Sequence, residues 1–235
     1  KPHDDAWTAA IVDKLMGEGQ PRLLLGQLAI QHPAFADLRR FALLIAEGVD
    51  GRVGYVTEGA NQAGAYLAGA VPHRGPGGVP VAAGRNVRSL FETPPAAYLL
   101  LGVEPELDCW DGAAAQAALT QAPVVSLTSF VSPAIREYAD CILPLGAFGE
   151  TPGSFVNGAG MLQRFDAVSV LPGDARPGWK ILRALGGEVA ADRGFSFASF
   201  AAAHAQLIDS VGEVNADEAM APYGGGWEPV PDGVE

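Results

Sequence analysis

Residues 96–130 read AAYLLLGVEPELDCWDGAAAQAALTQAPVVSLTSF, and this stretch decides the fold. Ala96–Gly102 is the most hydrophobic run of the chain and stops at a glycine, as a buried parallel strand does. Asp111 caps an alanine-rich helix that continues to about Gln121. Pro123–Phe130 is a second apolar run, again of strand length. Strand, helix, strand at this spacing is a crossover unit, in which the helix returns the chain so that the second strand lies parallel to the first.

The same rhythm extends in both directions. Upstream, RLLLG (Arg22–Gly26) and VGYVT (Val53–Thr57) are strands. A helix with Pro33 in its first turn runs between them to about Glu47, with Phe35, Leu38, Ala42 and Ile45 expected inward. Asp4 or Asp5 is expected to cap a first helix striped by Trp7, Ile11 and Leu15, and a short helix is expected over 61–70. Downstream, Ser132 and Pro133 open a helix, and CILPL (Cys141–Leu145) is a fifth strand. The fold expected is α/β: a Rossmann-like open, mostly parallel sheet with helices on both faces.

After Leu145 the rhythm breaks. Short strands at Ser154–Val156 and Met161–Phe165 make a small antiparallel excursion that leaves the main sheet. Pro177 starts a helix that Gly186 is expected to stop, and a last helix around Phe197–Val211 uses Phe200, Ala203, Leu207 and Val211. The expected division is 1–148 for the α/β domain, 149–170 for the excursion, 171–212 for returning helices and 213–235 for an acidic, Gly/Pro-rich tail.

Composition sets the outer limits. The chain has 235 residues, 49% of them hydrophobic, enough for a sizeable core. Its net charge of −12 removes the counterion-release drive toward nucleic acid and disfavours anionic membranes. No apolar run approaches the roughly 20 residues of a membrane span. The two cysteines, Cys109 and Cys141, make neither an iron–sulfur nor a structural zinc set and are expected as buried, reduced thiols. The opening KPHDDAW has no Met, basic stretch or apolar stretch of a signal peptide, and suggests a piece cut from a longer polypeptide.

Open parallel sheets bind ligands beyond the carboxyl ends of their strands. The loops there carry Gly26, Glu58, Gly59, Asn61, Gly102, Glu104 and Gly146. None forms a G-x-G-x-x-G or a G-x-x-x-x-G-K-[ST] motif, and Glu58 and Glu104 place carboxylates where a phosphate would sit. G-x-S-x-G is absent, and His3, His32, His73 and His204 lack triad-like or ligand-like neighbours. Glu150 reads as a solvated carboxylate before a Pro-Gly turn. No catalytic residue and no metal ligand is assigned. The loop-rich 71–95 stretch carries His73, Arg74, Arg85 and Arg88 in an otherwise acidic chain, making them candidate partner contacts. The alternative is that these arginines pair with carboxylates of their own domain.

Three ordered stretches resemble a known family. AYLLLGVEP (Ala97–Pro105), EYADCILPL (Glu137–Leu145) and ETPGSFVNGAGMLQ (Glu150–Gln163) look like the signature of molybdopterin-dependent oxidoreductases. In that family a strand ends in a G-x-N-P-like turn, and an A-D-x-x-L-P strand leads through a Glu into G-T-F-x-N-x-E-G-R-x-Q. ARPGWKILRALGG (Ala175–Gly187) is similar to the helix that commonly follows. EGANQAGAYLAGAVPHRGPGG (Glu58–Gly78) resembles one branch: the large peripheral-arm subunit of bacterial proton-pumping NADH:quinone oxidoreductase, respiratory complex I.

The departures are Glu104 for the Asn of G-x-N-P, and Ala159 and Met161 for the Glu and Arg of E-G-R. The resemblance implies a non-catalytic structural domain that has lost the molybdopterin cofactor and binds none itself, so that Gly26, Glu58, Gly59, Asn61, Gly102 and Glu104 line a vestigial crevice. It also implies iron–sulfur clusters in N-terminal domains of the parent chain. Those domains and neighbouring peripheral-arm subunits would be partners, on the cytoplasmic side of the inner membrane. The alternative is a molybdopterin-guanine-dinucleotide-binding fragment of an active molybdenum oxidoreductase.

Overall fold

A computed structural model describes residues 6–30, 32, 34–56, 59–109 and 111–212. The expected caps Asp4 and Asp5, His3, the helix-starting Pro33, the crevice residue Glu58 and the acidic tail 213–235 lie outside the described residues. The chain forms two compact units, one from Lys1–Leu67 with Phe155–Leu162, the other from Ala68–Ser154 with Gln163–Gly212. The first boundary falls inside the 1–148 stretch, between Leu67 and Ala68.

The first unit holds α1 (Ala6–Leu15), β1 (Arg22–Leu25), α2 (Gln27–Ile30), α3 (Phe35–Gly48), β2 (Arg52–Tyr55) and α4 (Gln62–Leu67). β1 and β2 pair in parallel, with Leu23 opposite Val53 and Leu25 opposite Tyr55. Their core is Val53 against Ala42 and Ala46 of α3, with Leu23, Leu25 and Leu43 packed around it. The face of α3 agrees with the expected one at Ala42, which is buried, and departs from it at Leu38 and Ile45. Two alanines face the sheet, while Leu38 is 37% and Ile45 is 45% exposed. Small side chains let the helix backbone approach the strands closely, which turns the bulkier residues outward. α1 forms as its periodicity requires but buries no residue.

In the second unit, α5 (Val87–Glu92) precedes β3 (Tyr98–Leu101), α6 (Pro105–Asp108), α7 (Gly112–Leu119), β4 (Val124–Thr128), α8 (Pro133–Tyr138) and β5 (Cys141–Pro144). The three strands form one parallel ladder in the order β3-β4-β5. The α/β class and its parallel strands therefore stand, arranged as a two-stranded and a three-stranded ladder. Caps explain where the helices begin. The side chains of Asn86, Asp111 and Ser132 each accept a backbone amide three residues on, at 2.8, 2.9 and 3.1 Å. Tyr98, Leu119, Val124, Ile135 and Tyr138 make the core on one face of the ladder. In the middle of β4, Ser126 is fully buried and its hydroxyl has no hydrogen-bond partner.

β6 (Gly153–Val156) and β7 (Leu162–Phe165) form a separate two-stranded antiparallel sheet, as the break in rhythm predicts. The turn closes with the Asn157 amide donating to the Met161 carbonyl at 3.2 Å. α9 (Gly178–Val189) follows Pro177 but does not stop at Gly186. That glycine is buried inside the helix because the Phe195 ring packs where a Cβ would project. α10 (Phe200–Val211) is capped by Ser199, whose hydroxyl accepts the Ala202 amide at 3.1 Å. The expectation of two buried thiols is corrected at Cys141, which is exposed on the edge strand β5, while Cys109 is half-buried and both are free. Among the described residues no helix is long and apolar enough to cross a membrane.

Candidate functional site

The site is built where β3 ends. Gly102 takes φ +60°, a left-handed turn that a side chain resists, and its amide donates to the Leu127 carbonyl at 2.9 Å. The chain then bends into α6, starting at the buried Pro105. Half-buried Glu104 sits at the start of that turn, and its amide donates to Asp108 Oδ2 at 2.7 Å. The carbonyl of Glu106 lies where a Cβ on Gly112 would project, so only glycine lets α7 start this close to α6.

Glu106 is the residue that the sequence does not single out. Its Oε1 accepts the Ser132 hydroxyl at 2.9 Å, and its Oε2 accepts the Tyr138 phenol at 3.0 Å. Burial and the hydrogen bond to Glu106, then the charges of Glu106 and Glu104, push the Tyr138 phenol far above the usual tyrosine range. The carboxyl end of this ladder thus carries Glu104, Glu106 and Asp108 in one turn, with two hydroxyls turned toward one of them. Among the described residues no group of three or more His, Cys, Asp or Glu could hold a metal ion.

Of the other residues named for the crevice, Gly26, Gly59 and Asn61 belong to the first unit, and Gly102 and Glu104 to the second. The Gly26 carbonyl accepts the Ala29 and Ile30 amides, so α2 starts directly at this strand end. Asn61 holds the excursion: its Oδ1 accepts the Val156 amide at 2.9 Å. Glu150 is likewise engaged, its Oε2 accepting the Ala147 amide at 2.8 Å and so shaping the turn that leaves β5.

The 71–95 stretch is more ordered than a bare loop. Val71 and Arg74, then Arg74 and Pro80, make antiparallel bridges, and the turn at Pro76–Gly78 packs on α10. His73 is half-buried; burial and then the neighbouring Arg74 hold its imidazole below the usual range. Arg85 donates to the carbonyls of Ser89 and Thr93 and so ties down the end of α5. Arg88 is exposed on the same helix. His204, which by sequence reads as a spacer, lies 3.2 Å from Ser154 Oγ with its Nε2. It lines a groove of about 600 Å³ with Arg164, Phe165, Phe200 and Ile208.

Residues 7–188 match the molybdopterin oxidoreductase family. The chain belongs to that family. Among curated relatives it is similar to a nitrate reductase of Synechocystis sp., at 29% identity over 37% of this chain and 12% of that protein. It is also similar to the mitochondrial NADH-ubiquinone oxidoreductase 78 kDa subunit of Neurospora crassa, at 47% identity over 21% of this chain and 7% of that protein. The chain therefore matches only a small part of the length of either relative.

The A-D of the A-D-x-x-L-P strand is Ala139-Asp140, and Asp140 binds the start of β4 through both its amide and its carboxylate. The first Gly of the later segment, Gly153, faces the Phe165 ring where a Cβ would project. Both positions carry the fold, and Glu104 stands in the turn after β3.

Proposed function

We propose that this domain is a non-catalytic, structural part of the large peripheral-arm subunit of proton-pumping NADH:quinone oxidoreductase, descended from a molybdopterin oxidoreductase and without its cofactor. The observation that carries the reading is the turn after β3. There the family's neutral Asn gives way to Glu104, and Glu106 fills the space between the Ser132 and Tyr138 hydroxyls. A pterin dinucleotide brings phosphates, which call for cations, neutral donors or bare amides. Three carboxylates in one turn fit it poorly. The 78 kDa subunit relative supports the respiratory branch. On this reading the parent chain carries iron–sulfur clusters in N-terminal domains. Those domains and neighbouring peripheral-arm subunits are the partners, on the cytoplasmic face of the inner membrane, and His73, Arg74, Arg85 and Arg88 are candidate contacts.

The second reading, a fragment that binds molybdopterin guanine dinucleotide within an active molybdenum enzyme, is favoured by the nitrate reductase relative. Molybdenum analysis and fluorescence of extracted pterin on the natively purified, full-length protein separate the two. Background levels of both are expected. Stoichiometric pterin overturns the structural reading.

A further inference from the structure

The Ser132 hydroxyl has its role fixed from one side. Its oxygen accepts the Ile135 amide at 3.1 Å as the cap of α8, so its hydrogen is free to point elsewhere, and it goes to Glu106. The Tyr138 hydroxyl, on a residue only 5% exposed, aims at the second oxygen of the same carboxylate. Two hydroxyl hydrogens thus converge on one small volume with no cation among the groups that define it. The carboxylate that both meet comes from 26 and 32 residues earlier in the chain. α6 is thereby held on two sides, by the Gly112 backbone of α7 and by the side-chain bonds to α8.

We propose that Glu106 is a built-in ligand: its carboxylate occupies the paired hydroxyls of Ser132 and Tyr138, locks the turn after β3 onto α8, and keeps other small carboxylates out of this end of the ladder. The carboxylates of Glu104 and Asp108 in the same turn add repulsion against a phosphate. Charge-assisted bonds to a buried phenol are of the stronger kind, so the latch holds against local opening.

The test is amide hydrogen exchange over 103–109 and 131–140 in the intact protein, read for wild type, Glu106→Gln, Glu106→Ala and Glu106→Ala/Tyr138→Phe, with and without excess formate. Losing a hydrogen-bonded carboxylate speeds local opening about tenfold or more. Glu106→Ala is therefore expected to exchange at least about tenfold faster in both segments, with formate restoring protection. Glu106→Gln, which keeps the size of the side chain, shows a smaller rise. Formate leaves wild type and the double variant unchanged. Unchanged exchange in Glu106→Ala and Glu106→Gln overturns the latch. Faster exchange that formate does not reverse, or that it reverses equally in the double variant, overturns the assignment of the hydroxyl pair as a carboxylate receptor.

Discussion

Asp140 and Val124 exchange two hydrogen bonds. The Val124 amide donates to Asp140 Oδ2 at 2.8 Å, and the Asp140 amide donates to the Val124 carbonyl at 3.0 Å. Val124 is fully buried, so its amide has no water to turn to if the carboxylate is removed. Asp140→Ala is expected to cost about 1–3 kcal/mol in denaturant unfolding. Asp140→Asn keeps an acceptor oxygen and should lose distinctly less. Equal losses for the two would show that the side-chain bond does not set the start of β4.

A second expectation runs against the usual direction of core mutations. The Ser126 hydroxyl is buried without a hydrogen-bond partner, and a buried hydroxyl in that state costs about 1–3 kcal/mol. Ser126→Ala removes the hydroxyl and leaves the strand pairing to Leu100 and Ile142 intact. Its unfolding midpoint should rise, by about 1 kcal/mol of stability. A fall of that size would mean that the oxygen is satisfied in solution.

Two glycines should answer an alanine substitution with opposite signs. Gly69 has φ +72°, and a Cβ there would stand 2.5 Å from the Gly75 carbonyl carbon, which is backbone and cannot rotate away. Gly69→Ala is expected to lose at least about 1–2 kcal/mol from the left-handed conformation alone. Gly187 lies inside α9 with open space where the Cβ would go. Gly187→Ala should gain about 0.5–1 kcal/mol, visible as a higher melting temperature.

The alkaline limit follows from the phenols. Tyr138, Tyr98 and Tyr55 all have raised pKa values in the folded protein, with burial the first cause in each. The folded state therefore holds these protons more tightly than the unfolded chain does. Their contribution to stability is complete below the ordinary tyrosine pKa of about 10 and is lost as the pH climbs above it. Unfolding midpoints measured across that range should fall for wild type and fall less steeply for Tyr138→Phe. Parallel slopes would remove Tyr138 from the account.

The strands are readable because each is a short apolar run closed by glycine, proline or a cap residue, as at Tyr98–Leu101 with Gly102. Helix starts are readable for the same local reason at Asp111 and Ser132. What the sequence hides is what depends on partners far along the chain. Leu38 and Ile45 carry a perfectly good helical period. Yet both are exposed, while Ala42, as expected, and Ala46 face β1 and β2, because the closeness of two elements is not encoded in either one alone. Gly186 reads as a stop signal, and only the position of Phe195 shows why a glycine sits inside α9. Arg85 reads as a candidate partner contact, and what the sequence does not show is that its guanidinium, from just ahead of α5, bonds the carbonyls of Ser89 and Thr93. Glu106 draws no notice among so many acids until Ser132 and Tyr138 stand beside it.

The two thiols differ in a way that makes the protein its own reporter. Cys141 is open to solvent on the last strand of the ladder, whereas Cys109 is half-shielded, with burial and then Asp108 holding its thiol less acidic than usual. Less thiolate and less access both slow alkylation, so a maleimide dye at neutral pH should mark Cys141 well before Cys109. A fluorophore placed there sits on the outer rim of the β3-β4-β5 ladder. Its emission and anisotropy would then register any surface that comes to cover that rim, without a single engineered residue in this stretch of chain.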